Sequence, residues 1–360
     1  MQTAMTTGSF WFFYVFDVCE AIDLDALRRC LGIQRNPRDP GVRPPSPEYV
    51  RFEREPVTEQ LSPVLLENGE RLRATAEYYD YGVISIAFEL PFAMGWPDLV
   101  GHSSRLRDLP EVERQANRLA KDCLDRIHET LVKPLPNWLS EDYYVVHVSP
   151  DGASAAELMQ HRGAEIAQIV RGEQLELAPG EIEDVLRSGD SYYPDDLLVV
   201  GWTAAFLYDT AEGVEPVMQL LQYANTQLLE YRYYDTMLTA VLAEVYRTLD
   251  SQAGVLARWR MAKEARRLNR IRLEVRELSE RADTSIKFLS DMYLARVYHL
   301  AAEKVGADDY RRLVDNKLQT AAELYQFLMD EFHGGRAFVL ELIVVIILVI
   351  ELVFLFRGQK

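Results

Sequence analysis

The sequence has few cysteines, and none of them stand at a paired spacing. Cys19, Cys30 and Cys123 are the three cysteines of a 360-residue chain, and they lie far apart. This argues against a disulfide framework or a cysteine zinc site and fits free thiols in a reducing compartment. The six histidines show no ligand spacing either. His299 and Glu303 stand one helical turn apart, but two possible ligands on one helix do not make a metal site. We therefore expect no bound metal and no cofactor.

An excess of positive charge is also lacking. The formal net charge is −17, which argues against a general nucleic-acid binder because affinity for phosphates needs a basic surface. The chain contains no glycine-rich phosphate loop and no Gly-x-Ser-x-Gly nucleophile elbow. No residue is therefore a candidate for catalysis. The sequence favours a role without catalysis and leaves open an enzyme with an unrecognised site.

No cleavable targeting segment is visible at the start of the chain. No basic residue precedes the aromatic run at 10–16, and Asp17 ends that run too early for the core of a signal peptide. We therefore expect the folded part of the protein to stay on the side of the membrane where it is made.

The longest apolar run lies at 337–356 and contains only two charged residues, Glu341 and Glu351. As a helix it is long enough to cross a bilayer core of ~30 Å, so the sequence predicts one C-terminal transmembrane helix. Glu351 would lie inside the far boundary, where a carboxylate costs a few kcal/mol unless it is protonated or hydrogen-bonded. We interpret both glutamates as candidates for a helix contact that sets an oligomer. The alternative is a neutral carboxyl group that reaches the interface.

Residues 10–209 have the pattern of a mixed domain. Apolar runs predict strands at 10–19, 71–79, 83–90, 142–149 and 197–208, and helices at 23–31, 108–132, 155–170 and 180–186. Because the strands occur in adjacent runs more than in regular alternation with helices, we expect an α+β N-terminal domain.

The segment 215–336 has the pattern of an antiparallel helical coiled-coil stalk. Its first seam repeats in alternating steps of four and three: Val217, Leu221, Ala224, Leu228, Tyr231, Asp235, Leu238, Leu242, Val245 and Leu249. Asp235 is the polar seam position, and Arg232, one turn away, is its candidate partner. We interpret this pair as fixing the register of the stalk. Gly306 separates the second helical stretch from the third.

The clearest concentration of positive charge lies in the second helical stretch. It comprises Arg258, Arg260, Lys263, Arg266, Arg267 and Arg270 and continues to residue 281. If the helices fold back at Gly306, this basic stretch returns towards the membrane. We expect it to contact anionic lipid headgroups, at about 1 kcal/mol per charge. The alternatives are a solvated face with internal Glu–Arg pairs and contact with RNA or the ribosome.

Four runs, in order along the chain, carry a family resemblance. They lie at 20–27, 191–197, 225–235 and 340–351. Together they resemble the Required for Meiotic Nuclear Division (Rmd-type) family. The resemblance implies an α+β domain, a coiled-coil stalk and one C-terminal membrane helix, and it carries over no catalytic residue. Members of that family include a mitochondrial inner-membrane protein. Because no presequence is visible, the resemblance favours a bacterial cytoplasmic membrane, with the domain in the cytoplasm, over the mitochondrial inner membrane.

These patterns predict a membrane-anchored, oligomeric scaffold or adaptor that presents its α+β domain to a protein partner. The expected partners are the lipid bilayer, further copies of the chain and an unidentified protein, with the ribosome as an alternative. Tethering would raise the effective concentration at the membrane without chemistry. Residues 192–196 are predicted to form a turn before a strand, and a role as a binding loop is the alternative reading.

Overall fold

The structure is a computed structural model that describes residues 5–33, 55–250, 267, 269–273, 275–276, 292–324 and 326. Within these ranges no helix has both the length and the apolar character needed to span a bilayer. The segment 337–356, predicted to be a transmembrane helix, lies outside the described residues together with Glu341 and Glu351. The first four positions of the basic stretch, Arg258, Arg260, Lys263 and Arg266, also lie outside them.

An eight-stranded sheet forms the core of the first of two compact units. Its strands are β1 (Thr6–Ile22), β2 (Val57–Leu65), β3 (Arg71–Tyr78), β4 (Val83–Met94), β5 (Leu131–Val148), β6 (Gly189–Asp190), β7 (Leu197–Val200) and β8 (Ala204–Tyr208). They lie in the order β2-β3-β4-β1-β5-β8-β7-β6. Neighbouring strands are antiparallel except β5 and β8, which are parallel. The mixed domain with a large sheet is therefore confirmed.

Strand β1 runs through the middle of the sheet, and both of its faces are buried. Phe12 and Phe16 pack into the core on one face, whereas Phe13 and Val15 pack on the other. A strand covered on both faces reads as a continuous apolar run, which explains why the sequence signal at this segment is strong. A bulge after Asp17 shifts the register against β5.

Five helices cover the first face of the sheet. They are α1 (Leu24–Leu31), α2 (Trp96–Arg107), α3 (Pro110–Ile127), α4 (Ala155–Arg171) and α5 (Pro179–Leu186). Asp23 caps α1, the helix predicted at 23–31, because its carboxylate accepts the backbone N–H groups of Asp25 and Ala26. Helix α3 is shorter than the predicted 108–132, since the chain passes through one 3₁₀ turn after Ile127 and enters β5 at Leu131.

Helix α6 (Ala211–Asp250) and helix α7 (Met292–Val305) cover the second face. Residues 220–231 of α6 are all buried. Leu221 and Leu228, which the heptad pattern places in the stalk seam, share one apolar cluster with Val145 and Leu207 of the sheet and with Val297 of α7. The first unit comprises Met1–Tyr233 and Ser279–Tyr310, so it takes in the beginning of the segment that the pattern assigns to the stalk.

The second unit comprises Tyr234–Leu278 and Arg311–Lys360. In its described part, apolar side chains of α6, of residues 271–275 and of the helix at 307–324 are buried: Leu238, Val241, Leu242, Ile271, Val275, Val314 and Ala321. Asp235 is paired here, because the Lys317 ammonium lies 2.5 Å from its carboxylate and 2.7 Å from the Thr239 hydroxyl. The polar position of the seam is therefore satisfied by hydrogen bonds.

Candidate functional site

A short loop between β6 and β7 presents two tyrosines to solvent. Its sequence at 191–196 is Ser-Tyr-Tyr-Pro-Asp-Asp, and we call it the tyrosine loop. The buried Asp196 carboxylate accepts the backbone N–H groups of Tyr192, at 2.7 Å, and Tyr193, at 2.8 Å. The Ser191 N–H is bonded to the Asp190 carboxylate at 2.9 Å. These bonds fix the backbone of the loop, so its tyrosines are already positioned before any partner binds.

The two tyrosines belong to a small aromatic surface. Tyr192 is 44% exposed and Tyr193 is 51% exposed. The Tyr192 ring centroid lies 4.7 Å from that of Tyr193 and 5.0 Å from that of the buried Tyr293 on α7. The Arg296 guanidinium lies 5.6 Å from the Tyr293 ring centroid and pairs with the Asp190 carboxylate at 3.1 Å. Exposed tyrosines beside an arginine are typical of the centre of a protein interface.

The electrostatic environment of the tyrosine loop is acidic. Burial raises the pKa of Asp196, the two backbone N–H groups lower it, and the charges of Asp195 and Asp190 raise it further. Burial also raises the pKa of Tyr293, with additional contributions from nearby carboxylates that include Asp196 and Asp190. The hydroxyl of Tyr293 therefore stays protonated. The loop thus combines exposed aromatic rings with several negative charges, a surface suited to a basic partner.

A second group of polar side chains is buried between the sheet and α6. Asp17 is 3% exposed, and its Oδ2 has no hydrogen-bond partner among the described residues. Burial raises the pKa of Asp17 to about 7. The Thr226 hydroxyl donates to the Tyr223 carbonyl oxygen at 2.7 Å, so the Tyr81 hydroxyl is the donor in its own 2.7 Å bond to Thr226. Such a cluster of buried polar groups is costly unless its members share hydrogen bonds or protons.

Cys19 lies beside this buried group, directly after the bulge in β1. Burial raises the pKa of its thiol to about 12, and the charges of Asp17 and Glu230 add to that effect. A thiol with so high a pKa is not a nucleophile at neutral pH. Asp17 on β1 and Glu230 on α6 therefore both lie close to the Cys19 sulfur. This arrangement can hold a proton, but it offers no reactive thiolate.

The predicted site residues that the structure describes lie in separate places. Arg267 and Arg270 are helical residues of the second unit, and both are exposed. Arg232 pairs with Glu141 of β5, and its guanidinium lies 6.0 Å from the Tyr310 ring centroid. The sequence predicted that Arg232 and Asp235 pair with each other. It did not predict that Arg232 pairs with Glu141 or that Asp235 pairs with Lys317, because these partners are far away along the sequence. The contacts predicted for the basic stretch stay predictions.

Two comparisons with known proteins place the chain among relatives. A family model described as the N-terminal domain of the uncharacterised protein MJ0711 matches residues 7–215. The uncharacterised protein MJ0711 of Methanocaldococcus jannaschii is 19% identical over 191 residues, which are 52% of this chain and 58% of the relative. The chain therefore spans a little over half the length of the curated relative that it matches.

The resemblance to the Rmd-type family is wrong, because the family model that matches residues 7–215 describes a different domain. Three of the runs behind that resemblance have local structural roles. The run at 20–27 contains Asp23, which caps α1, and the run at 191–197 contains Asp196, which fixes the tyrosine loop. Most of the run at 225–235 belongs to the fully buried part of α6. Through its N-terminal domain, the chain belongs to the MJ0711 family.

Proposed function

We propose that the protein is a membrane-tethered, oligomeric adaptor whose mixed α and β domain binds a protein partner through the tyrosine loop. The observation that carries this proposal is the fixed backbone of the loop, in which Asp196 holds two exposed tyrosines in place. Tyrosine and arginine dominate binding free energies at protein interfaces, and Arg296 lies beside the loop. A loop that is already ordered loses little conformational entropy when it binds.

The partner of an adaptor with this surface carries basic side chains. Tyr192 and Tyr193 offer ring faces for cation–π contacts, and Asp195 supplies an exposed negative charge next to them. The net charge of −17 attracts a basic partner over a longer range and raises its association rate at low ionic strength. An exposed lysine-rich or arginine-rich segment of another protein fits this chemistry.

The tether in this proposal is the apolar segment 337–356, and the spacer is the part of the predicted stalk that belongs to the second unit, 234–278 and 311–336. The support for the tether is sequence: twenty residues that contain only two charges. The exposed Arg267 and Arg270 offer positive charge for anionic headgroups, and buried positions such as Leu238 and Val314 suit packing between helices. Oligomers at the cytoplasmic membrane would present several tyrosine loops at once, which strengthens binding by avidity.

Site-specific photo-crosslinking in the native cell tests the adaptor function. The photoreactive residue p-benzoylphenylalanine replaces Tyr193 in the full chain, and a matched control carries it at Leu175, which is 77% exposed in the segment between α4 and α5. We expect a discrete adduct from position 193 that is absent from position 175. The adduct should weaken in the Asp196→Asn background, because the two backbone N–H groups bond to different carboxylate oxygens and the amide replaces one of these oxygens with an NH2 donor.

The identified partner segment is then made as a peptide and titrated against the purified chain. We expect Tyr193→Phe to bind nearly as well as the wild type and Tyr193→Ser to bind at least tenfold more weakly, since the ring supplies most of the contact area. Equal adducts from both positions, or adducts that are insensitive to Asp196→Asn, would refute a role for the tyrosine loop in partner binding.

A further inference from the structure

A polar cleft opens on the face of the sheet that carries α1 to α5. Its volume is about 240 Å³. In liquid water, where each molecule takes up about 30 Å³, about eight molecules fill that volume. Its lining comes from β1, β5, the end of α2 and the start of α3, with Phe16, Leu109 and Pro110 as apolar contributors. It is therefore large enough for a small organic molecule and combines apolar walls with polar side chains.

Tyr14 lines this cleft. The residue is 9% exposed, and among the described residues its hydroxyl has no hydrogen-bond partner. Asp142 lies directly opposite Tyr14 in the pairing of β1 with β5, where Cβ atoms stand about 5 Å apart. Burial raises the pKa of Tyr14, and the charges of Asp142 and Glu113 raise it further. Both carboxylates therefore lie near the phenol, which stays protonated.

The walls of the cleft carry two carboxylates that have no partner among the described residues, those of Glu113 and Asp142. Glu113 and Asn117 lie one turn apart on α3, and the Asn117 side-chain amide donates to the Glu113 backbone carbonyl at 3.0 Å. In the part of the chain that the structure describes, the carboxylates of Glu113 and Asp142 form no ion pair or hydrogen bond.

One positive charge, that of Arg107, lines the cleft itself and is engaged by two other groups. The Arg107 guanidinium donates to the Arg171 backbone carbonyl at 2.9 Å and lies 3.5 Å from the Asp108 carboxylate. Glu141, which also lines the cleft, is paired with Arg232. Among the described residues, two carboxylates and one phenol thus remain without a partner around the same space, beside one guanidinium that is already engaged.

We propose that this cleft binds a small organic cation, a primary alkylamine, whose ammonium group donates to Glu113, Asp142 and the Tyr14 hydroxyl. An ammonium group has three N–H donors, which matches the three acceptors. The apolar lining covers the alkyl chain. A bare metal ion fits less well, because it needs more oxygen ligands at 2.0–2.6 Å than two carboxylates across an open cleft supply. This site is independent of the tyrosine loop.

Isothermal titration of the full-length chain in detergent tests the site. The probes are n-butylamine and 1,4-diaminobutane, with sodium butyrate as the probe of opposite charge. We expect both amines to bind and butyrate not to bind. Tyr14→Phe keeps the ring and removes the acceptor, so amine affinity should fall about tenfold, since hydrogen bonds to charged groups are strong. Glu113→Gln and Asp142→Asn should each lower amine affinity by more than tenfold.

The matched control is Asp122→Asn, an exposed carboxylate on the same helix as Glu113 but outside the cleft. It should bind both amines like the wild type. Glu113 is exposed, so Glu113→Gln keeps the test valid even if Tyr14→Phe does not fold. Unchanged amine affinity in Glu113→Gln, an equal loss in Asp122→Asn, absence of heat with millimolar amine, or binding of butyrate instead of the amines would overturn the proposal.

Discussion

Replacing Asp17 with asparagine is expected to stabilise the first unit above pH 7. The Asp17 side chain is buried on β1, close to the Cys19 thiol and to Glu230 on α6. Burial raises its pKa from 3.8 to about 7. Between these two pH values the folded state keeps a proton that the unfolded state has released. The free energy of unfolding therefore falls as the pH rises through this window and levels off above about pH 7.

The size of the effect follows from the pKa difference. A shift of about three units corresponds to about 4 kcal/mol of lost stability, at about 1.4 kcal/mol per unit, once the carboxyl is fully ionised. About 2 to 3 kcal/mol of this loss falls between pH 5 and pH 8. Asparagine has no charge to bury, although its amide leaves donors unpaired at a cost of about 1–3 kcal/mol. The difference between the two proteins should therefore change with pH, in favour of Asp17→Asn at pH 8.

Urea unfolding of the full-length protein, followed by tryptophan fluorescence at pH 5 and pH 8, measures this difference. The wild type should lose stability between the two pH values, and Asp17→Asn should lose about 2 to 3 kcal/mol less. Asp122→Asn, at an exposed position, serves as the control and should follow the wild type at both pH values. If Asp17→Asn and the wild type share one pH dependence, the buried carboxyl is not protonated in the folded state, and the reasoning fails.

Three further predictions concern other parts of the chain. Asp196→Ala removes the acceptor for two backbone N–H groups, so amide hydrogen exchange of the tyrosine loop should accelerate, and an unchanged rate would contradict the fixed backbone. Lys317→Met breaks the ion pair with the partly buried Asp235 and should cost about 1 kcal/mol, read from urea unfolding with Lys121→Met as the exposed control. Arg267→Glu combined with Arg270→Glu should lower binding to anionic vesicles by about 1 kcal/mol or more per position, whereas equal binding to neutral and anionic vesicles would refute headgroup contact.

Local signals in the sequence predict the parts of the fold that depend on neighbours along the chain. The strands predicted at 71–79 and 83–90 are observed as β3 and β4, which pair as a hairpin because a turn with Gly82, at a φ of 95°, separates them. The helix predicted at 23–31 is observed because Asp23 caps its start, again a local signal. The strand predicted at 197–208 is instead two strands, β7 and β8. Gly201 lies in the turn between the two strands and is the signal that was missed. A Cβ at this position would lie 2.5 Å from the Val170 side chain.

The heptad pattern of α6 could not predict what its apolar stripe packs against. Leu221 and Leu228 repeat at the spacing of a coiled-coil seam, but the same spacing suits a helix that packs on a sheet. Gln222 and Gln227 lie outside this stripe and are polar, but they are buried nonetheless. Polar residues on a helix normally indicate a solvated face, so the pattern gave no sign that residues 220–231 are buried throughout.

The two candidate sites differ in how far sequence reasoning could reach them. The tyrosine loop is contiguous, so its Pro-Asp-Asp turn is visible in the sequence and a binding role could be considered before the structure was known. The amine cleft joins Tyr14, Glu113 and Asp142, which are about 30 to 130 positions apart and come from three elements. Each is an ordinary residue in its own segment. Only the pairing of β1 with β5, and the packing of α3 on the same face of the sheet, brings two carboxylates and a phenol to one cleft as acceptors for one cation.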